Sequence, residues 1–128
     1  MEVGIDKVAA IYRFILSLPF YRIVECEGRN YLLVHAGLAN YAHFRSLDAY
    51  LPDELLWHGF DYDGTYYPQQ FYKIIVGHTP TLLLNRDKPV SIYRGKGNVI
   101  DIDCGAVFEE ASGRLGCLCL DSMQAFYV

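Results

Sequence analysis

Two histidines stand at the ends of apolar runs, where an imidazole can bind a metal or move a proton. The first closes Tyr31-Leu32-Leu33-Val34-His35 and is followed by Ala36-Gly37. The second closes Ile74-Ile75-Val76-Gly77-His78 and is followed by Thr79-Pro80. Aliphatic, largely β-branched residues running into small residues predict buried strands that end in sharp turns. Each strand then delivers one imidazole to its carboxyl end, the edge at which ligands collect in open α/β sheets. Taken singly, either histidine reads equally as a turn residue or as a core imidazole satisfied by a carbonyl. Taken together, with small neighbours that let a ligand approach the backbone, they read as two ligands of one site.

The elements that must position this pair follow from pattern and punctuation. Val8, Ile11, Tyr12, Ile15 and Leu16 recur at helical spacing, so residues Ile5 to Leu18 predict a packing helix stopped by Pro19. Phe20 to Glu25 and Tyr31 to Val34 predict a hairpin around Glu27-Gly28-Arg29-Asn30, feeding His35. Asn40 to Tyr50 is ambiguous, with a short helix as one reading. Pro52 to Trp57 opens with a proline and two acids, as a helical turn does. His58 to Gln70 is polar, glycine-containing and tyrosine-rich, and predicts a long surface loop. Beyond His78, short β runs at Pro89 to Arg94, Asn98 to Ile102, Arg114 to Leu120 and Gln124 to Val128 predict an antiparallel meander that completes a sheet. The class is therefore α/β with an α+β tail, a mixed sheet with antiparallel strands at its C-terminal end, in one domain spanning residues 1–128.

Composition narrows the function classes. The chain is 52% apolar and 20% charged, with 11 Tyr and a net charge of −4. It carries no stripe of Lys and Arg, so the electrostatic footprint of nucleic-acid binding is missing. No apolar run approaches the length of a membrane span, and no leader pattern opens the chain. Cys26, Cys104, Cys117 and Cys119 form no Cys-x-x-Cys pair, which argues against a zinc or disulfide framework and fits the cytoplasm.

Assembled in order, these motifs resemble the C-terminal half of the calcineurin-like metallophosphoesterases, in the bacterial serine/threonine phosphatase and diadenosine-tetraphosphatase branch. Tyr31 to Leu38 is similar to that family's His-Ala-Gly loop, Leu55-Leu56-Trp57 to its Leu-Trp segment, and Val76 to Thr81 to its Gly-His-Thr-Pro loop. Ile100-Asp101-Ile102-Asp103-Cys104-Gly105 resembles its Ile-Asp-x-Gly strand, and Gly113-Arg114-Leu115 through Val128 its closing hairpin. The resemblance implies part of a β-sandwich flanked by helices. It makes His35 and His78 ligands of the second metal of a two-metal site, with Mn²⁺, Fe or Zn²⁺ as the usual ions and a phosphoester as substrate. Asp101 and Asp103 then lie near the metal, as strand and turn residues first and as groups orienting a ligand second. His58 falls in the loop that binds substrate in the family, and is a weak candidate for a phosphate contact. His43 reads as surface.

The family's Gly-Asp-x-His-Gly, Gly-Asp-x-Val-Asp-Arg-Gly and Gly-Asn-His-Glu motifs do not occur in this sequence, and Met1 stands about where the last of them would have ended. Two phosphate-gripping arginines of the family are replaced by Gly59 and Gly64, and a bidentate guanidinium has no glycine equivalent. The implied chain carries no catalytic residue of its own and is inactive in isolation. The other reading is a degenerate, non-catalytic binding or oligomerisation module. An uncovered apolar face is expected in either case, and with it a homo-oligomer.

Overall fold

A computed structural model describes residues 4–85 and 89–128; Met1, where the resemblance sets its boundary, lies outside them. Helix α1 (Ile5–Leu16) precedes strands β1 (Tyr21–Cys26) and β2 (Arg29–Val34) and a short helix α2 (Pro52–Leu56). Strands β3 (Lys73–Val76), β4 (Tyr93–Arg94), β5 (Val99–Asp101), β6 (Gly116–Leu118) and β7 (Ala125–Tyr127) complete the order. The fold is mixed α/β. One five-stranded sheet runs β1-β2-β3-β5-β4, and β6-β7 form a separate two-stranded sheet. Strands β2, β3 and β5 are parallel, with β1 and β4 antiparallel on the edges.

The β1–β2 hairpin is tighter than the sequence predicts. Cys26 pairs with Arg29, so Arg29 and Asn30 belong to β2 and only Glu27-Gly28 remain in the turn. Both turn residues have positive φ, 51° and 69°, as a type I′ turn requires. That turn matches the twist of the flanking strands, and glycine makes its second position inexpensive.

Side chains alternate across the main sheet as a period of two dictates. On one face Leu32, Val34, Ile74, Val76 and Val99 pack beneath Leu38, Tyr50, Leu55, Tyr66, Tyr67 and Phe71. On the other, Tyr31, Ile75 and Ile100 pack with Val90, Ile92 and Cys104, while Leu118, Leu120, Ala125 and Tyr127 lie against them. The C-terminal strands therefore do not form one meander completing the sheet. β5 enters the sheet parallel to β3, β4 closes its edge, and β6–β7 fold over its face instead. Burial of apolar side chains on both faces is what a parallel sheet interior demands.

Two further expectations are corrected. Helix α1 forms but does not bury its stripe among the described residues: none of its residues is buried, and Val8 and Ile15 are 55% and 56% exposed. Its helical periodicity is real, but its apolar stripe stays exposed among the described residues. The segment from His58 to Gln70 has no helix or strand, as expected, yet it is not simply surface, since Tyr66 and Tyr67 are buried. The ambiguous Asn40–Tyr50 stretch holds only a 3-10 turn, Leu47–Ala49. No described helix is long and apolar enough to cross a membrane.

The segment after His35 is held by Arg45 and Glu54. Arg45 donates to both Glu54 carboxylate oxygens, at 2.9 and 2.6 Å, and to the Ala49 carbonyl at 2.8 Å. Glu54 also accepts from the Leu51 N–H at 2.9 Å, which caps α2 at its first turn. The two backbone groups that tie this segment to α2, Ala36 N–H to Leu55 O and Ala39 N–H to Glu54 O, fix the chain as it leaves the histidine.

Candidate functional site

Register alone brings the two histidines together. Leu33 lies opposite Ile75 in the parallel β2–β3 pair, so His35 and His78 leave the sheet at the same edge on neighbouring strands. The Gly77 N–H donates to the His35 carbonyl at 2.9 Å, carrying the ladder past the strand ends. There His35 Nε2 lies 3.1 Å from His78 Nδ1, with ring centroids 4.9 Å apart. One ring donates to the other, so at least one is a neutral acceptor. Burial, and then the neighbouring His78 charge, lower the pKa of His35, while Asp103 opposes them. The neutral imidazole favoured in this way is the form that ligates metal.

His78 itself sits at φ +70°, and the Thr79 N–H donates to the Gly77 carbonyl at 2.8 Å across it. A left-handed non-glycine residue spanned by such a three-residue turn is strained. His78→Gly should accordingly be more stable than His78→Ala by about 1 kcal/mol, because both lose the imidazole and only glycine relieves the backbone. Paired urea melts measure that difference; an alanine variant at least as stable would place the strain elsewhere.

The third parallel strand delivers the carboxylates. Asp101 Oδ1 accepts the Asp103 N–H and Asp103 Oδ1 accepts the Gly105 N–H, both at 2.9 Å, two consecutive side-chain turns that shape the chain after β5. This agrees with their reading as strand and turn residues. Asp101 is also completely buried, and its Oδ2 has no hydrogen-bond partner among the described residues. Burial pushes its pKa up to about 8.

Sequence reasoning assigned no role to Trp57 or Tyr62. The Trp57 ring meets His78 edge-on, with centroids 5.7 Å apart, while remaining 68% exposed. In the sequence Trp57 figured only as the end of the Leu55-Leu56-Trp57 segment, and its contact with His78 left no local signal. Tyr62 carries a buried hydroxyl with no close hydrogen-bond partner among the described residues, with the Thr79 side chain nearby. Burial raises its pKa, the Thr79 side chain opposes that, and the charges of Asp101 and Asp103 add to the rise. Nothing in the sequence separates Tyr62 from its many neighbouring tyrosines.

His58 makes its polar contacts on α2: Nδ1 is 3.1 Å from the Asp53 carbonyl and 3.2 Å from its carboxylate. His43 lies beside Tyr41, with its Nδ1 3.4 Å from the phenol oxygen. Gly59 and Gly64, where the resemblance expects arginines, differ in kind. A side chain at Gly59 would meet only the Tyr62 hydroxyl, at 3.7 Å, whereas at Gly64 it would run into the Tyr66 ring at 2.7–2.9 Å. The first position has room for a longer residue; the second is built around its glycine.

A cleft of about 450 Å³ opens beside His35, lined among others by Phe20, Leu33, Ile75, Gly77 and Ile102. Two imidazole nitrogens bound to one tetrahedral metal at 2.0–2.1 Å would stand roughly 3.3 Å apart, close to the separation found here. The donor chemistry and spacing thus fit half a coordination sphere. Among the described residues no group of three or more His, Cys, Asp or Glu is arranged to hold a metal. Compared with known protein families and with curated proteins, the chain matches none.

Proposed function

We propose that this chain supplies the two-histidine half of a divalent-metal centre in a calcineurin-like metallophosphoesterase, and that it has no turnover alone. The observation that supports this reading is the approach of His35 Nε2 to His78 Nδ1, 3.1 Å apart at the carboxyl ends of adjacent parallel strands. A metal bound there supplies polarisation of a phosphoryl oxygen and a water of lowered pKa. The chain's own part is to present two neutral imidazoles, with Trp57 fixing the plane of His78 from one side. An open apolar cleft beside the exposed His35 leaves the pair accessible to a ligand from solvent. The remaining ligands, and the groups that grip phosphate, come from outside the described residues. Serine/threonine phosphatase and diadenosine-tetraphosphatase chemistry both remain within this proposal.

Calorimetric titration with Mn²⁺ and Zn²⁺ tests it. Weak binding to the chain, lost in His35→Ala and in His78→Ala, is the expected result, alongside no hydrolysis of p-nitrophenyl phosphate. Binding unchanged in both variants removes the metal assignment. Hydrolysis that disappears in His78→Ala keeps the metal and overturns the claim of inactivity.

The second reading, a non-catalytic module that associates with another copy of the chain, is favoured by a different observation. Ile5, Val8, Tyr12, Ile15 and Leu16 present one exposed apolar stripe along α1. Scattered apolar residues need no explanation, but a contiguous patch of this kind marks an interaction surface. Absence of metal binding in the same titration is the outcome that would favour it.

A further inference from the structure

The turn between β6 and β7 is pinned to the tip of the β1–β2 hairpin, far from the histidine pair in the sheet. Tyr31 Oη donates to the Leu120 carbonyl at 3.1 Å and lies 3.7 Å from Met123 Sδ. Cys26, the last residue of β1, donates its S–H to Asp121 Oδ1. Cys119 closes the other side of the same turn, its N–H donating to the Gln124 carbonyl at 2.9 Å. Two half-buried free cysteines from opposite ends of the chain therefore meet around one aspartate.

We propose that Cys26 and Cys119 are a reversible dithiol pair that a peroxide oxidises to a disulfide, with Cys119 as the attacking thiolate and Cys26 as the resolving thiol.

The surroundings divide the roles. Cys119 faces the Ser122 hydroxyl and the N–H groups of Ser122 and Asp121, all donors that stabilise a sulfur anion and lower its pKa. Cys26 is the opposite case. Its hydrogen bond to Asp121 keeps the proton on sulfur and pushes its pKa up to about 11, with the charges of Asp121, Glu27 and Cys119 adding to the effect. Asp121, which takes the Cys26 S–H, stands two residues after Cys119 in the same turn, so both cysteines belong to one small locus. A thiolate attacks peroxide where a thiol does not, so the first oxidation belongs to Cys119. Its sulfur bonds to one peroxide oxygen, the O–O bond breaks, and hydroxide or alkoxide leaves, giving the sulfenic acid. Cys26 sulfur then attacks the sulfur of that acid. The S–O bond breaks, the S–H proton passes to Asp121, and hydroxide departs to be protonated to water. Peroxide is reduced by two electrons and the two cysteines are oxidised by two.

The product would tie the first hairpin to the last. Cys104 is buried, and Cys117 is an exposed residue in the β6–β7 ladder, opposite Phe126; neither takes part. The test is thiol titration and peptide mapping of the whole chain after limited hydrogen peroxide. Of the 4 cysteines, half should be lost to 5,5′-dithiobis(2-nitrobenzoate), as one Cys26–Cys119 peptide in the monomer, restored by dithiothreitol. In Cys26→Ser, a sulfenic acid trapped by dimedone should accumulate at Cys119; in Cys119→Ser, neither adduct nor disulfide should form. Asp121→Asn should leave the adduct on Cys119 intact and slow the disulfide that follows. All four thiols still titrating, a bridge involving Cys104 or Cys117, or dimedone on Cys26 in preference to Cys119 would each overturn the proposal.

Discussion

Replacing Asn98 by alanine should cost the fold about 3 kcal/mol or more, a large part of the 5–15 kcal/mol that holds an ordinary domain together. Asn98 is only 7% exposed and touches no candidate ligand. Its importance lies in the loop from His58 to Gln70, which has no helix or sheet to satisfy its backbone. Asn98 Oδ1 accepts the Tyr66 N–H at 2.9 Å, while Nδ2 donates to the Tyr66 carbonyl at 2.8 Å and to the Phe71 carbonyl at 3.3 Å. One amide thus imitates a neighbouring strand for a buried stretch of loop. Alanine would leave those three backbone groups without partners in the core, at about 1–3 kcal/mol each where water cannot reach. Tyr66 and Tyr67, which that stretch carries into the face beneath β2 and β3, would lose their anchor as well. Asn98→Asp should be no milder, since it removes both donors and buries a charge. Urea denaturation followed by tyrosine fluorescence measures the loss. A change below 1 kcal/mol would mean that the loop is held by its aromatic packing alone.

The same residue shows where the sequence stops being legible. Continuous aliphatic runs identified β2, β3 and β5, because burial on both sides leaves a pattern in the residues themselves. The glycine and small residues after β2 and β3 marked their ends, and the two histidines were found on that signal. Asn98 sits at the head of one such run and reads locally as a turn residue. Its partners are 27 and 32 residues away, and no local pattern reports them. The C-terminal strands failed for a related reason. Gln124 to Val128 alternates equally well whether it extends a sheet or lies across one, and only the packing of Leu118, Ala125 and Tyr127 on Ile75 and Ile100 decides. Helix α1 inverts the lesson: its stripe is plain in the sequence, yet the described residues leave it exposed. At the site, His35 and His78 were legible because glycine and proline punctuate their strands. Trp57 and Tyr62 were not, because a role that depends on meeting a ring or a carboxylate across the fold has no sequence period.

Between about pH 5 and pH 8 the wild-type chain should lose stability relative to Asp101→Asn by about 1.4 kcal/mol per pH unit. Asp101 is fully buried on the third parallel strand, with one oxygen on the Asp103 N–H and the other unpartnered. Burial disfavours the anion, so the folded-state pKa rises from 3.8 to about 8. The sign follows directly. Across that window the folded protein holds a proton that the unfolded chain has released, so raising the pH favours unfolding until the buried acid ionises. Asparagine copies the protonated acid: it keeps an oxygen for the Asp103 N–H and places an uncharged donor where the acid's O–H would be. Other groups act differently and do not confuse the comparison. The Arg45 hydrogen bond, with those of Asn40 and Leu51, holds Glu54 down at about 2, and Lys96 with Tyr93 does the same for Asp63. Their stabilisation is present above the usual carboxylate range and fails only in stronger acid. The lowered pKa of His35 contributes stability above its ordinary value of 6.5 that is lost as pH falls, opposing Asp101 within the same window. That contribution is common to both proteins, so subtracting the two stability curves leaves the Asp101 term alone. Urea midpoints of each protein at pH 5, 6, 7 and 8 supply the curves. A difference that widens steadily with pH establishes a neutral acid at the end of the third parallel strand at pH 7, and a constant difference would show that Asp101 is already ionised, with a cationic partner that the described residues do not contain.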